Sequence, residues 1–93
     1  MQDAFNRELG RLLRERRREL KLSLKTVAEL CGAQFQLIHK YEHAEAQVSA
    51  FRLWQLLRSL KLDATDLLHE VEKALPAGAG EATASSAAGR SEL

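Results

Sequence analysis

The chain is poor in the residues that mark specialised folds. It has one cysteine in 93 residues, so no internal disulfide is available and the secreted, disulfide-stapled class is excluded. It has one proline, Pro76, and only three Phe, one Tyr and one Trp. No uncharged run is long and apolar enough to span a bilayer, the Ala/Gly/Ser stretch near the C-terminus included. The N-terminal residues show no basic segment followed by an apolar core, so no secretory signal is expected and a reducing cytoplasm is the implied compartment. At this length the chain is one small domain, and a large enzyme fold is excluded.

The charge is nearly balanced, at +1, but unevenly placed. Residues 7 to 25 contain Arg7, Arg11, Arg14, Arg16, Arg17, Arg18, Lys21 and Lys25, opposed only by Glu8, Glu15 and Glu19. Such a concentration suits a polyanion, or else is a solvated helix face with Glu/Arg pairs at helical spacing. Residues 46 to 75 carry four charges of each sign. From Pro76 onward no large apolar residue appears before Leu93. A segment of that composition buries too little to offset its ordering entropy, so 76–93 is expected to be a disordered tail and the fold is expected within 1–75.

Within those bounds the apolar residues recur at helical spacing. Phe5, Leu9, Leu12, Leu13 and Leu20 predict a helix over 3–20, locally weakened by Gly10. Ser23 is a good N-cap for a second helix over 24–31, with Val27, Ala28 and Cys31 on one face and Gly32 ending it. A third spans about 34–43, with Ile38 and Tyr41 turned inward. Ser49 caps a fourth over 50–60, and Asp63 or Thr65 starts a fifth that Pro76 stops. No segment alternates with period two over strand length, and the predicted class is all-α with five short helices.

The second and third helices, joined by a short turn opening with glycine, form a helix-turn-helix unit. Over residues 8 to 70 the chain resembles the lambda repressor-like (XRE) DNA-binding family. The resemblance is carried by Leu9-Gly10-Arg11, Arg14-Glu15-x-Arg17, Leu22-Ser23, Val27-Ala28-Glu29, Gly32, Ile38-x-Lys40-Tyr41-Glu42, Ser49 and Leu53-x-x-Leu56-x-x-x-Leu60. Phe35-Gln36-x-Ile38-x-Lys40-Tyr41-Glu42 is similar to a bacterial subgroup pattern, F-Q-Q-[IV]-Q-K-Y-E-[RK]-G. The chain departs from these patterns at Leu24, where relatives often carry Gln, and at Leu37, His39, His43-Ala44 and Ala46-Gln47. Lys21 stands where Gly is usual, so a left-handed lysine is expected there.

The resemblance implies a five-helix DNA-binding domain in a regulator of transcription, cytoplasmic and nucleoid-associated, acting as a homodimer on double-stranded DNA. It places Gln34, Phe35, Gln36, His39 and Lys40 at base edges, and Arg11, Arg14, Ser23, Lys25, His43 and Arg52 at phosphates. It also implies an ion pair between Arg17 and Glu42 bridging the first and third helices. Glutamine can bond adenine bidentately and lysine can donate to guanine or phosphate, so the outer face has suitable chemistry. Phe35 has two readings, contact with a thymine methyl or packing against the second helix.

Other chemistry has less support. His39 and His43 have the spacing of two metal ligands, but Cys31, the natural third, occupies a core slot in the family pattern, so no metal is assigned. There is no Gly-rich phosphate loop and no Ser/His/Asp set, so no catalytic residues and no cofactor are assigned. A protein-interaction module on the same fold is the alternative function. Leu12, Leu24, Leu30 and Leu37 sit where relatives often carry polar residues, and leucines exposed there would make a partner surface, centred on Leu24 and Leu37. Phe51 and Trp54 are expected to anchor a dimer across the fourth and fifth helices.

Overall fold

Five helices and no strand make up the described residues, 1–76, of the computed structural model. They are α1 (Gln2–Glu19), α2 (Leu24–Cys31), α3 (Phe35–Glu42), α4 (Ala50–Ser59) and α5 (Ala64–Lys73). The all-α, five-helix class matches the sequence expectation, and the boundaries differ from it by a residue or so at each end. The expected disordered tail lies, from residue 77 on, outside the described residues.

The starts of α2, α4 and α5 are each set by a short polar side chain, whereas α1 and α3 begin without a side-chain cap. Ser23 Oγ accepts the Thr26 N–H at 3.0 Å. Ser49 Oγ accepts the Arg52 N–H at 3.1 Å. At the fifth helix the choice falls on Asp63 rather than Thr65, since Asp63 Oδ1 accepts the Asp66 N–H at 3.0 Å. These bonds satisfy backbone donors that the first turn leaves without partners.

Four helix ends share one device. Lys21, Gly32, Ala44 and Lys61 take left-handed conformations, with φ of 58°, 64°, 57° and 55°. The next residue then folds back: Leu22 N–H donates to the Arg17 carbonyl at 3.0 Å, Ala33 to Ala28 at 2.9 Å, Glu45 to Lys40 at 2.8 Å and Leu62 to Leu57 at 2.9 Å. Only one of the four positions has the glycine that this conformation favours.

The apolar faces meet in one core. Leu9 and Leu13 of α1, Val27, Ala28 and Cys31 of α2, Ile38 and Tyr41 of α3, Leu56 and Leu57 of α4, and Leu67 and Val71 of α5 are buried, with Leu60 just past α4. α2 packs on α3 and α4, while α1 packs on α3 and α5. Gly10 has a positive role beyond the local weakness that its composition suggests. A Cβ at this buried position would lie 2.6 Å from the carbonyl oxygens of both Tyr41 and Glu42, so the bare backbone lets the end of α3 rest on α1.

Two arginines lock the helices together at helix ends. Arg16 Nε donates to the Leu60 carbonyl at 2.9 Å, closing the end of α4 from α1. Arg17 Nε and Nη2 donate to the two carboxylate oxygens of Glu42 at 2.6 and 3.1 Å, and Nη1 donates to the Leu22 carbonyl at 2.9 Å. The Glu42 side chain is only 3% exposed, which makes this a buried, bidentate pair.

Candidate nucleic-acid interface

The left-handed Gly32, with Ala33 and Gln34, turns the chain between α2 and α3 and leaves α3 standing with one face outward. The inner face carries Ile38, Tyr41 and Glu42, all buried. Gln34, Phe35, Gln36, His39, Lys40 and His43 are exposed. Successive positions three and four apart on a helix share one side, so 36, 39/40 and 43 form a strip of hydrogen-bonding groups along it. All five residues expected at base edges therefore lie on or beside one exposed strip.

The residues expected at phosphates divide into two sets. Ser23 and Lys25 are exposed at the start of α2, where the first turn holds no acidic side chain. The same is true of α3 and α4, whereas α1 and α5 carry Asp3 and Asp66 in theirs. The partial positive ends of α2, α3 and α4 are thus left uncompensated, as an anion requires. His43 belongs with this set: its ring stacks on that of His39, with centroids 4.2 Å apart, and its Nδ1 donates to the His39 carbonyl at 2.9 Å.

Arg11 and Arg52 are already engaged within the fold. The Arg11 guanidinium is clamped between the carboxylates of Glu8 and Glu15. Donating a hydrogen bond to Glu8 raises the arginine above its already high value, and in return Arg11 holds the Glu8 carboxyl below its ordinary range. Arg52 Nη1 donates to the Cys31 carbonyl at 2.8 Å and to Gln55 Oε1 at 2.9 Å, tying α4 to the end of α2. It still borders a shallow hollow shared with Gln34, Gln36 and Lys40. Arg14 is half-buried on α1.

The leucines proposed as a partner surface are mostly withdrawn. Leu12, Leu24 and Leu37 are partly buried against the core, and of the four only Leu30 is exposed, at 59%. Phe51 and Trp54 are 63% and 52% exposed on α4, with ring centroids 6.0 Å apart, and Arg58 lies over the Trp54 ring at 5.1 Å. Cys31 is buried with its Sγ 3.6 Å from Ser59 Oγ. Among the described residues no three His, Cys, Asp or Glu side chains gather closely enough to hold a metal ion, and no helix is long and apolar enough to cross a membrane.

Residues 8–70 match a protein family described as a helix-turn-helix domain. The chain belongs to this family. It is 32% identical over 68 residues to an uncharacterized transcriptional regulator in the ATPase CF(0) region of Rhodospirillum rubrum, a match covering 73% of this chain and 63% of that protein. It is 34% identical over 61 residues to an uncharacterized HTH-type transcriptional regulator, y4wC, of Sinorhizobium fredii, covering 66% of this chain and 43% of that one. The chain thus spans less than two thirds of the length of either relative. Its fold is that of the clp gene regulator ClgR from C. glutamicum, with a TM-score of 0.71 at 22% identity over 78% of this chain and 95% of the other. The helix-turn-helix assignment agrees with the resemblance carried by the sequence motifs.

The roles that sequence reasoning missed are those of Arg16 and Gln55. Gln55 accepts from Arg52 one turn earlier on α4, whereas Arg16 serves a backbone carbonyl 44 positions away that only tertiary packing brings close. No local pattern announces such a contact.

Proposed function

We propose that this helix-turn-helix domain binds double-stranded DNA sequence-specifically, as the reading unit of a non-enzymatic transcriptional regulator, with α3 in the major groove. The observation that carries the reading is the outward strip of α3: Gln36 and Lys40 are exposed beside Gln34 and His39, while Leu24 and Leu37 are drawn into the packing. That polarity suits a base-pair edge, and the partial burial of Leu24 and Leu37 leaves the protein-partner alternative only a reduced apolar surface there. The two relatives named as transcriptional regulators support the same reading.

In this arrangement Gln34, Gln36, His39 and Lys40 face base edges. Ser23, Lys25, His43 and the amide ends of α2 and α4 face phosphates, with Arg14 a further cation on the α1 side. Arg11 and Arg52 act chiefly as structural ties. A domain this small makes few base contacts alone, and two copies on half-sites multiply affinity. The exposed Phe51–Trp54 pair, flanked by Leu30 on α2, supplies the apolar anchor for a homodimer. Such a regulator works in the cytoplasm, at the nucleoid.

The test is binding of the purified protein to a duplex pool at two salt concentrations. Sequence-selective binding that weakens with salt is expected. Absence of any salt-dependent duplex binding overturns the reading. Sedimentation with and without the selected duplex tests the dimer, which monomers in both states would refute.

A further inference from the structure

Resting on the DNA-binding reading, we propose that the hollow between the start of α2 and the outer side of α3 holds a seat for the 5-methyl group of thymine, so that the domain favours a T·A pair opposite Phe35. Phe35 opens α3 and Leu24 opens α2, and with Gln36, His39, Lys40 and Glu45 they line an open hollow of about 330 Å³.

Phe35 is 49% exposed, so half of a large aromatic side chain is left uncovered by the fold, at the tip of a strip otherwise made of hydrogen-bonding groups. Leu24 supplies the floor, since it packs on the core beneath. It does so at a position where the resembled family often has glutamine, which makes the apolar floor a feature of this chain. Along the major groove the only apolar group that a base pair offers is the thymine methyl, and the group next to it is the O4 acceptor. The hollow is complementary to both: an apolar floor for the methyl, and on its rim the amide of Gln36 and the ammonium of Lys40 to donate to O4. Glu45, the acidic group on the rim, suits an amino edge of a neighbouring adenine or cytosine.

The experiment starts from duplexes selected by the wild-type protein from a random pool. Each thymine is then replaced in turn by deoxyuridine, which pairs identically and lacks only the methyl. Deoxyuridine at one or two positions is expected to weaken wild-type binding about threefold to fivefold, the amount that burying one such carbon commands. Phe35→Ala should bind the thymine and deoxyuridine duplexes equally, and Phe35→Leu should keep part of the difference. Phe35 lies outside the core, so the melting temperature of Phe35→Ala should stay near that of the wild type, and it is measured alongside. If deoxyuridine is tolerated at every position, or if Phe35→Ala discriminates as the wild type does, the seat is refuted while DNA binding stands. If no duplex is enriched over random sequence, the DNA-binding reading fails and the seat fails with it.

Discussion

Arg17 and Glu42 form a two-pronged pair from α1 to α3, with donor–acceptor distances of 2.6 and 3.1 Å, the arginine 13% and the glutamate 3% exposed. The third arginine donor reaches the Leu22 carbonyl in the turn before α2. One guanidinium therefore fixes α3, α1 and the approach to α2. Removing one partner leaves the other charge buried and alone. Arg17→Ala or Glu42→Ala should each lower stability by roughly 3–5 kcal/mol, whereas Arg17→Met with Glu42→Leu should lose much less. Urea denaturation of the two single variants and the double variant checks this; additive losses in the double would refute it.

Gly10→Ala should destabilise the fold although alanine favours a helix. The added carbon would lie 2.6 Å from two carbonyl oxygens of α3, with backbone rather than a flexible side chain on the receiving side. The clash is expected to outweigh the propensity gain and cost about 2 kcal/mol. A higher melting temperature for the variant would disprove the close-approach account.

Glycine should act in the opposite sense at three other positions. Lys21, Ala44 and Lys61 hold left-handed conformations that a Cβ disfavours. Lys21→Gly, Ala44→Gly and Lys61→Gly should each stabilise by roughly 0.5–1 kcal/mol, after allowing for the added freedom of the unfolded chain. Thermal melts of the three variants test it.

Two cations should differ in their effect on binding. Lys25 stands exposed at the start of α2, whereas Arg11 is held by Glu8 and Glu15. Lys25→Ala should weaken all duplexes alike and lower the salt slope by about one. Arg11→Ala, which removes a guanidinium already neutralised within α1, should change the slope by less than half of that. Affinity measured against salt concentration for both variants decides the point, and equal slopes would contradict it.

Much of this structure is legible in the chain itself, because helix caps and apolar spacing are local signals. Ser23, Gly32 and Ser49 mark their boundaries by residue type alone. The inward turn of Ile38 and Tyr41 follows from spacing. The left-handed Lys21 and Ala44 are legible only through the resemblance, each standing where glycine is usual, and Lys61 carries no such mark. Leu24 and Leu37 read as exposed by comparison with relatives, yet whether a leucine beside a groove turns into it depends on neighbours distant in sequence. The engagement of Arg52 by the Cys31 carbonyl is hidden for the same reason: an arginine near a helix start looks like a phosphate ligand until the carbonyl that claims it is in view.

The division of α3 into two faces has a consequence for how such proteins diversify. Everything that holds the helix in place, Ile38, Tyr41 and Glu42, faces inward, and Gln36, His39 and Lys40 contribute little to its attachment. Under the proposed DNA-binding reading, sequence preference can therefore drift almost independently of folding. A descendant of this chain can acquire a new target by exchanging a few outward side chains, and the scaffold beneath registers hardly any change.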